Sequence, residues 1–145
     1  MKLYVIRHGN TDSNRLDIYN GKLLNEDINN IGIKQAQEAS KKIKNLNLDL
    51  IICSPLLRTR HTCDIINSNK IKVIYDDRIE ERNCGVLTNT KIDNFYYTEY
   101  WNYYSKVKID NLETVPELFK RVNLFLDEIK KKYRGQNILL VTHGG

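Results

Sequence analysis

Four short runs of β-branched and large apolar residues punctuate the chain, at residues 3–6, 48–53, 71–75 and 137–141. Their length and composition predict buried strands. Between them the apolar spacing changes to that of a helix. Ile33, Ala36, Ala39 and Ile43 mark one amphipathic segment, and Val115, Leu118, Phe119, Val122, Phe125, Leu126 and Ile129 mark a longer and clearer one. Boundary residues agree with this division. Ser54-Pro55 offers an N-cap followed by a proline at the first helical position, where its missing N–H costs nothing. Gly135 can end the Val115 helix. Strands alternating with helices predict an α/β fold, a mostly parallel central sheet with helices on both faces and right-handed crossovers.

The segment at about 87–111 follows neither pattern. It places Phe95, Tyr96, Tyr97, Tyr100, Trp101, Tyr103 and Tyr104 within a few turns and without a clean period. Two readings stand: an excursion that folds over one end of the sheet, or a Tyr-rich helix packed on the core. There is no internal repeat and no Pro/Gly/Ser linker, so residues 1–145 are expected to form one domain.

Composition narrows the setting. Hydrophobic residues make up 41% and charged residues 28%, and no stretch approaches the ~18 apolar residues of a membrane span. The apolar run before Arg7 is too short for a signal-peptide core, so a cytoplasmic location and no membrane partner are expected. Cys53, Cys63 and Cys84 form no C-x-x-C pair and are expected to be free thiols. The net charge of +5 resides largely in lysine runs such as Lys41-Lys42 and Lys130-Lys131-Lys132. Solvated helix faces account for these, and no nucleic-acid motif accompanies them, so no nucleic-acid partner is expected. A positive field does favour anionic substrates.

In an open α/β sheet, ligands bind beyond the carboxyl ends of the strands. After the first run come Arg7-His8-Gly9-Asn10-Thr11, after the second Ser54-Pro55-Leu56-Leu57-Arg58, beyond the third Glu80-Glu81, and after the fourth Thr142-His143-Gly144-Gly145. Two histidines, two arginines and a carboxylate should therefore converge on one edge. That set suits phosphoryl transfer without a metal or other cofactor. A neutral imidazole serves as nucleophile, guanidiniums match the phosphoryl oxygens, and a carboxyl group protonates the departing oxygen. No cluster of carboxylates or histidines has metal-ligand spacing along the chain.

Arg7-His8-Gly9-Asn10-Thr11 with Asn14 resembles the R-H-G-x-T-x-x-N signature of the histidine phosphatase superfamily, the phosphoglycerate-mutase-like enzymes. Ile28-Asn29-Asn30-Ile31-Gly32 with Gln35-Ala36 is similar to the family's L-[ST]-x-x-G-x-x-Q-A stretch. Ser54-Pro55-Leu56-Leu57-Arg58 with Thr62 is similar to S-P-L-x-R-A-x-x-T, Ile79-Glu80-Glu81 with Gly85 to L-x-E-x-x-x-G, and Thr142-His143-Gly144-Gly145 to the second histidine motif. Any one of these is weak, but five in order span the chain. The resemblance implies a three-layer sandwich, with His8 as the transiently phosphorylated nucleophile. It also implies that Arg7, Arg58 and His143 bind phosphoryl oxygens, with Asn14 and Gly144 in the same pocket, and that Glu81 is the proton donor. Competing readings are structural histidines, a solvent-facing Arg58, and Glu80 in place of Glu81; His61 reads as a wall residue.

Departures from the family pattern are the missing Glu-Gly pair after Gly85 and the loss of glycine before Glu113-Thr114. Family members continue past H-G-G into a further helix, so the sequence is expected to be truncated after 145. The interval from Glu81 to His143 is short for the mutase branch, which favours a phosphatase hydrolysing a small phosphorylated metabolite. A mutase-type transfer and a noncatalytic phospho-ligand binding module are the alternatives. Oligomeric state is not legible.

Overall fold

In the computed structural model, which describes residues 1–144, each apolar run becomes a strand of one sheet. These are β1 (Lys2–Arg7), β2 (Leu50–Cys53), β3 (Val73–Tyr75) and β4 (Asn137–Thr142). The helices are α1 (Asp12–Arg15), α2 (Asn30–Ile43), α3 (Leu57–Ile66), α4 (Asn94–Tyr100) and α5 (Val115–Lys132). The side chains of Phe95 and Tyr96, from the aromatic run, and Gly145, from the last motif, lie outside the described residues. Strand order is β1-β4-β2-β3, and every pairing is parallel.

Successive side chains of a strand point to opposite faces, and β2 and β4 use both. Ile51, Cys53, Leu139 and Val141 pack with Ala36 and Ile43 of α2 and with Cys63 and Ile66 of α3. Leu50, Ile52, Ile138 and Leu140 pack with Phe125 and Ile129 of α5. The result is the expected α/β three-layer sandwich, with its two central strands buried on both sides. At its start, α5 carries a capping box between Thr114 and Glu117 with Pro116 in the first turn. Beyond its end, Gly135 adopts a left-handed φ of 78°.

Helix α3 starts later than Ser54-Pro55 predicts. It begins at Leu57, and no side chain of its own N-cap residue closes the first turn. Asn25 instead accepts the Leu57 N–H through Oδ1 at 2.8 Å. Ser54 Oγ lies 2.8 Å from His143 Nε2, so the hydroxyl that looked like a cap is held in the edge cluster.

Within the 87–111 segment, Asn94–Tyr100 form α4. Tyr100 is buried in a small cluster with Tyr19, Cys84 and Leu87, separate from both faces of the sheet. Antiparallel bridges between Ile18 and Lys91 and between Cys84 and Leu112 hold the segment to the loops beyond the strands.

One backbone contact fixes the loop after β1. A Cβ on Gly32, in the first turn of α2, would lie 2.4 Å from the Asn10 carbonyl oxygen, and one on Gly9 would lie 2.5 Å from the Gly32 carbonyl oxygen. Such a contact admits only hydrogen at both positions. Gly32→Ala should therefore destabilise the protein by ~1–3 kcal/mol through overpacking. A fall in the denaturant midpoint without a change in m would show this, and an unchanged midpoint would refute it.

Candidate active site

The strand register brings the site together. Arg7 sits opposite Thr142, and Cys53 opposite Val141, so β1, β4 and β2 end nearly level. The ladders run one residue further: His8 N–H donates to the Thr142 carbonyl at 3.0 Å, and Ser54 N–H to the Val141 carbonyl at 3.0 Å. His8, Ser54 and His143 are thereby placed side by side. The two imidazole centroids are 5.2 Å apart with their planes inclined by 59°.

Each histidine is oriented by its partner. A carbonyl oxygen can only accept, so the 2.7 Å contact between His8 Nδ1 and the Gly9 carbonyl places the proton on Nδ1 and leaves the Nε2 lone pair free. The loop carrying His8 is anchored from two helices. Gly9 N–H donates to Thr62 Oγ1 on α3 at 3.0 Å, and Asn10 N–H to Gln35 Oε1 on α2 at 2.8 Å. Asn29 at the head of α2 donates its N–H to the Asn10 carbonyl at 2.9 Å. His143 is bonded through Nε2 to Ser54, while its Nδ1 is buried without a hydrogen-bond partner among the described residues.

Both rings are buried, at 6% exposure for His8 and 8% for His143. Burial is the main reason that His8 is depressed to a pKa of about 4, with Arg58 and Arg7 adding to it against the Gly9 hydrogen bond. His143 falls to about 2, through burial first and then Arg58, His8 and Arg7. Both imidazoles are thus neutral near pH 7.

Arg58 is 0% exposed, which removes the solvent-facing reading. Its Nη1 donates to the Leu24 carbonyl at 3.1 Å and its Nη2 to the Gly21 carbonyl at 2.9 Å, and its Nε is buried and unpaired among the described residues. A buried polar group without a partner costs ~1–3 kcal/mol, and among the described residues Arg58 Nε and His143 Nδ1 are both such groups. Glu81 Oε2 lies 3.9 Å from His143 Nδ1, while Oε1 accepts the Arg82 N–H at 3.0 Å. The segment leading to Glu81 is tied to β4, because Thr142 Oγ1 donates to the Ile79 carbonyl at 2.9 Å. Glu80 instead pairs with Lys22 at 3.6 Å, which separates the two adjacent carboxylates.

Arg7, Asn14, Glu81 and Gly144 line one end of a cleft of about 220 Å³. Asn14 also closes the capping box of α1 with Thr11, so it both shapes the turn and borders the cleft. His61 is not among the cleft's lining residues; its Nδ1 pairs with Asp27 at 2.9 Å. Cys84 does line the cleft, as a buried free thiol. His8, Glu81 and His143 offer ligand atoms within 4.8 Å of one another, a grouping from distant parts of the chain that residue spacing could not reveal. The positive charges of Arg7 and Arg58, which already disfavour protonation of both rings, favour an anion over a cation there.

These residues bring a neutral, oriented imidazole together with a second buried imidazole, two guanidinium groups and a carboxylate. The chain belongs to the histidine phosphatase superfamily (branch 1), whose family profile matches residues 3–145. It is 30% identical over 150 residues to phosphoserine phosphatase 1 of Hydrogenobacter thermophilus, covering 99% of this chain and 71% of that protein. It is 32% identical over 151 residues to a Yersinia pestis protein named probable phosphoglycerate mutase GpmB, covering 99% and 70%. Among solved structures, the alpha-ribazole phosphatase of Shigella flexneri superposes with a TM-score of 0.80 at 27% identity, over 99% of this chain and 74% of that one. These likenesses support phosphatase or mutase activity in general. No helix among the described residues is long and apolar enough to cross a membrane.

The buried neutral histidines make stability depend on pH. Below about 6.5 the unfolded chain takes up protons that the folded chain refuses, so stability is complete above that pH and declines as pH falls toward 4. His8 alone should account for roughly 3 kcal/mol over this interval. In denaturant titrations, His8→Gln should flatten the stability profile between pH 6.5 and 4. Parallel profiles for the two proteins would contradict the assignment.

Proposed function

We propose that the chain hydrolyses a small phosphate monoester through a phosphohistidine formed on His8. The reading is carried by two buried unpaired donors, Arg58 Nε and His143 Nδ1, beside an imidazole whose Nε2 lone pair is free. A phosphoryl group satisfies both donors and meets the nucleophile.

In the first step, Nε2 of His8 attacks phosphorus and the bond from phosphorus to the ester oxygen breaks. The developing negative charge is spread over oxygens bound by Arg7, Arg58 and His143. Ser54 sets the tautomer of His143. Its hydroxyl accepts the Leu56 N–H at 3.5 Å and donates its own proton to Nε2, which leaves Nδ1–H to face the phosphoryl oxygen. Glu81 gives its proton to the departing alkoxide, and in the second step its carboxylate takes a proton from the water that attacks the phosphohistidine. Phosphate leaves and His8 returns to its neutral form. Asn14 and Gly144 border the bound group, and no metal or other cofactor enters either step. The reaction takes place in the cytoplasm. Mutase-type transfer differs only in the second acceptor, a retained alcohol in place of water. A noncatalytic binding module would not need the free Nε2.

With p-nitrophenyl phosphate as probe, rapid quenching should trap an acid-labile phosphoenzyme that is absent from His8→Ala, whose turnover falls at least ~10³-fold. Near-normal turnover in His8→Ala would sink the nucleophile assignment. Glu81→Gln should slow alkyl phosphates by ~10²-fold or more while affecting the p-nitrophenyl ester less, because that leaving group needs little protonation. Chelators should leave every rate unchanged, and release of inorganic phosphate rather than transfer between phosphoglycerate isomers should separate hydrolysis from mutase chemistry.

A further inference from the structure

Beyond its phosphate end, the cleft is walled by side chains that take no part in the proposed chemistry. Tyr19, Tyr100 and Trp101 line it together with Ile18 and Ile92. The aromatic residues form one packed block. The Tyr19 and Tyr100 ring centroids are 5.1 Å apart, and Trp101 stands edge-on to Tyr100 at 4.9 Å and 85°. Tyr100 is 4% exposed, and its hydroxyl is engaged by Cys84 Sγ at 3.2 Å. Trp101 is 38% exposed, which leaves ring surface open to a ligand.

The buried cation behind this wall is already committed. Arg82 is 2% exposed, with its guanidinium 4.0 Å from the Tyr100 ring centre and donating to the carbonyls of Glu113 and Tyr100. Among the described residues lining the cleft, the only full charges are Arg7 and Glu81. Glu81 lies beside His143 and Arg7 packs against Gly144, so both stand at the phosphate end. A carboxylate or second phosphate on the alcohol half of a substrate would lose its hydration here and gain no cation. A flat ring would exchange water for aromatic faces and edges.

Resting on the phosphatase reading above, we propose that the preferred monoester carries an uncharged aromatic or heteroaromatic group on its alcohol half, seated against Trp101, which the buried Tyr19 and Tyr100 hold in place. The cleft selects by ring stacking and by the absence of a second cation. Phosphorylated hydroxy acids and phosphoamino acids are disfavoured for the same reason.

The test compares esters whose alcohols leave about equally well, so that chemistry does not mask binding: 2-phenylethyl phosphate, 2-cyclohexylethyl phosphate, glycerol phosphate, phosphoserine and phosphoglycerate. The phenylethyl ester should show kcat/KM at least ~10-fold above glycerol phosphate and phosphoglycerate, and above its cyclohexyl counterpart by a smaller margin. Trp101→Ala should bring the phenylethyl-to-glycerol ratio close to one, mainly through KM, and Trp101→Phe should restore most of it. Phosphoglycerate or phosphoserine as the best substrate, or an unchanged ratio in Trp101→Ala, overturns the proposal.

Binding is read separately. Trp101 is the protein's one tryptophan, so its fluorescence reports occupancy without turnover. In His8→Ala, 2-phenylethyl phosphate should quench it and glycerol phosphate should not. Quenching with no turnover of any ester by the unaltered protein would defeat the phosphatase reading and leave the aromatic site standing. Turnover without selective quenching would defeat the aromatic site alone.

Discussion

The level ending of three parallel strands is the constraint on which the site depends. Because β1 pairs with β4 in register, with Arg7 opposite Thr142, the residues that follow each strand emerge as neighbours although 135 positions separate His8 from His143. A shift by one residue would turn every side chain of a strand to the other face, so the burial of Leu139 and Val141 on one face and Ile138 and Leu140 on the other also protects the spacing of the two imidazoles. Core packing and site geometry rest on the same hydrogen-bond ladder.

Arg58 joins that edge to the loop that borders it. Its guanidinium holds the carbonyls of Gly21 and Leu24, the next helical N–H toward the start of α3 is capped by Asn25, and His61 one turn further on pairs with Asp27. The loop is thus fastened along the first turns of α3. A fully buried cation costs a great deal unless its donors are satisfied, and here two are met by the loop while Nε is left over. Structural and ligand-directed uses of one side chain are divided between its nitrogens.

The sheet and the long helices were legible in the sequence because apolar periodicity reports burial directly, as in Phe125 and Ile129 of α5 or the run at β2. Motif order likewise pointed to His8, Arg58, Glu81 and His143 as neighbours. Ser54 was misread for a physical reason. Its hydroxyl accepts the Leu56 N–H just ahead of α3 and also holds an imidazole, and nothing local announces the second contact, because His143 lies 89 residues away. The aromatic block was ambiguous for a similar reason: Tyr100 and Trp101 belong to a segment without period, and their neighbour Tyr19 comes from a distant loop. His61 was read as a wall residue from its place one turn beyond Arg58, and its pairing with Asp27 could not be read from the sequence because 34 positions separate them.

The leftover N–H groups of Arg58 and His143 respond to the shape and charge of PO₄-type oxygens, which an ester and its liberated orthophosphate share. Under the proposed reaction each cycle ends with the liberated phosphate beside the same two nitrogens that held the ester. The liberated ion therefore competes with the next ester for the same donors.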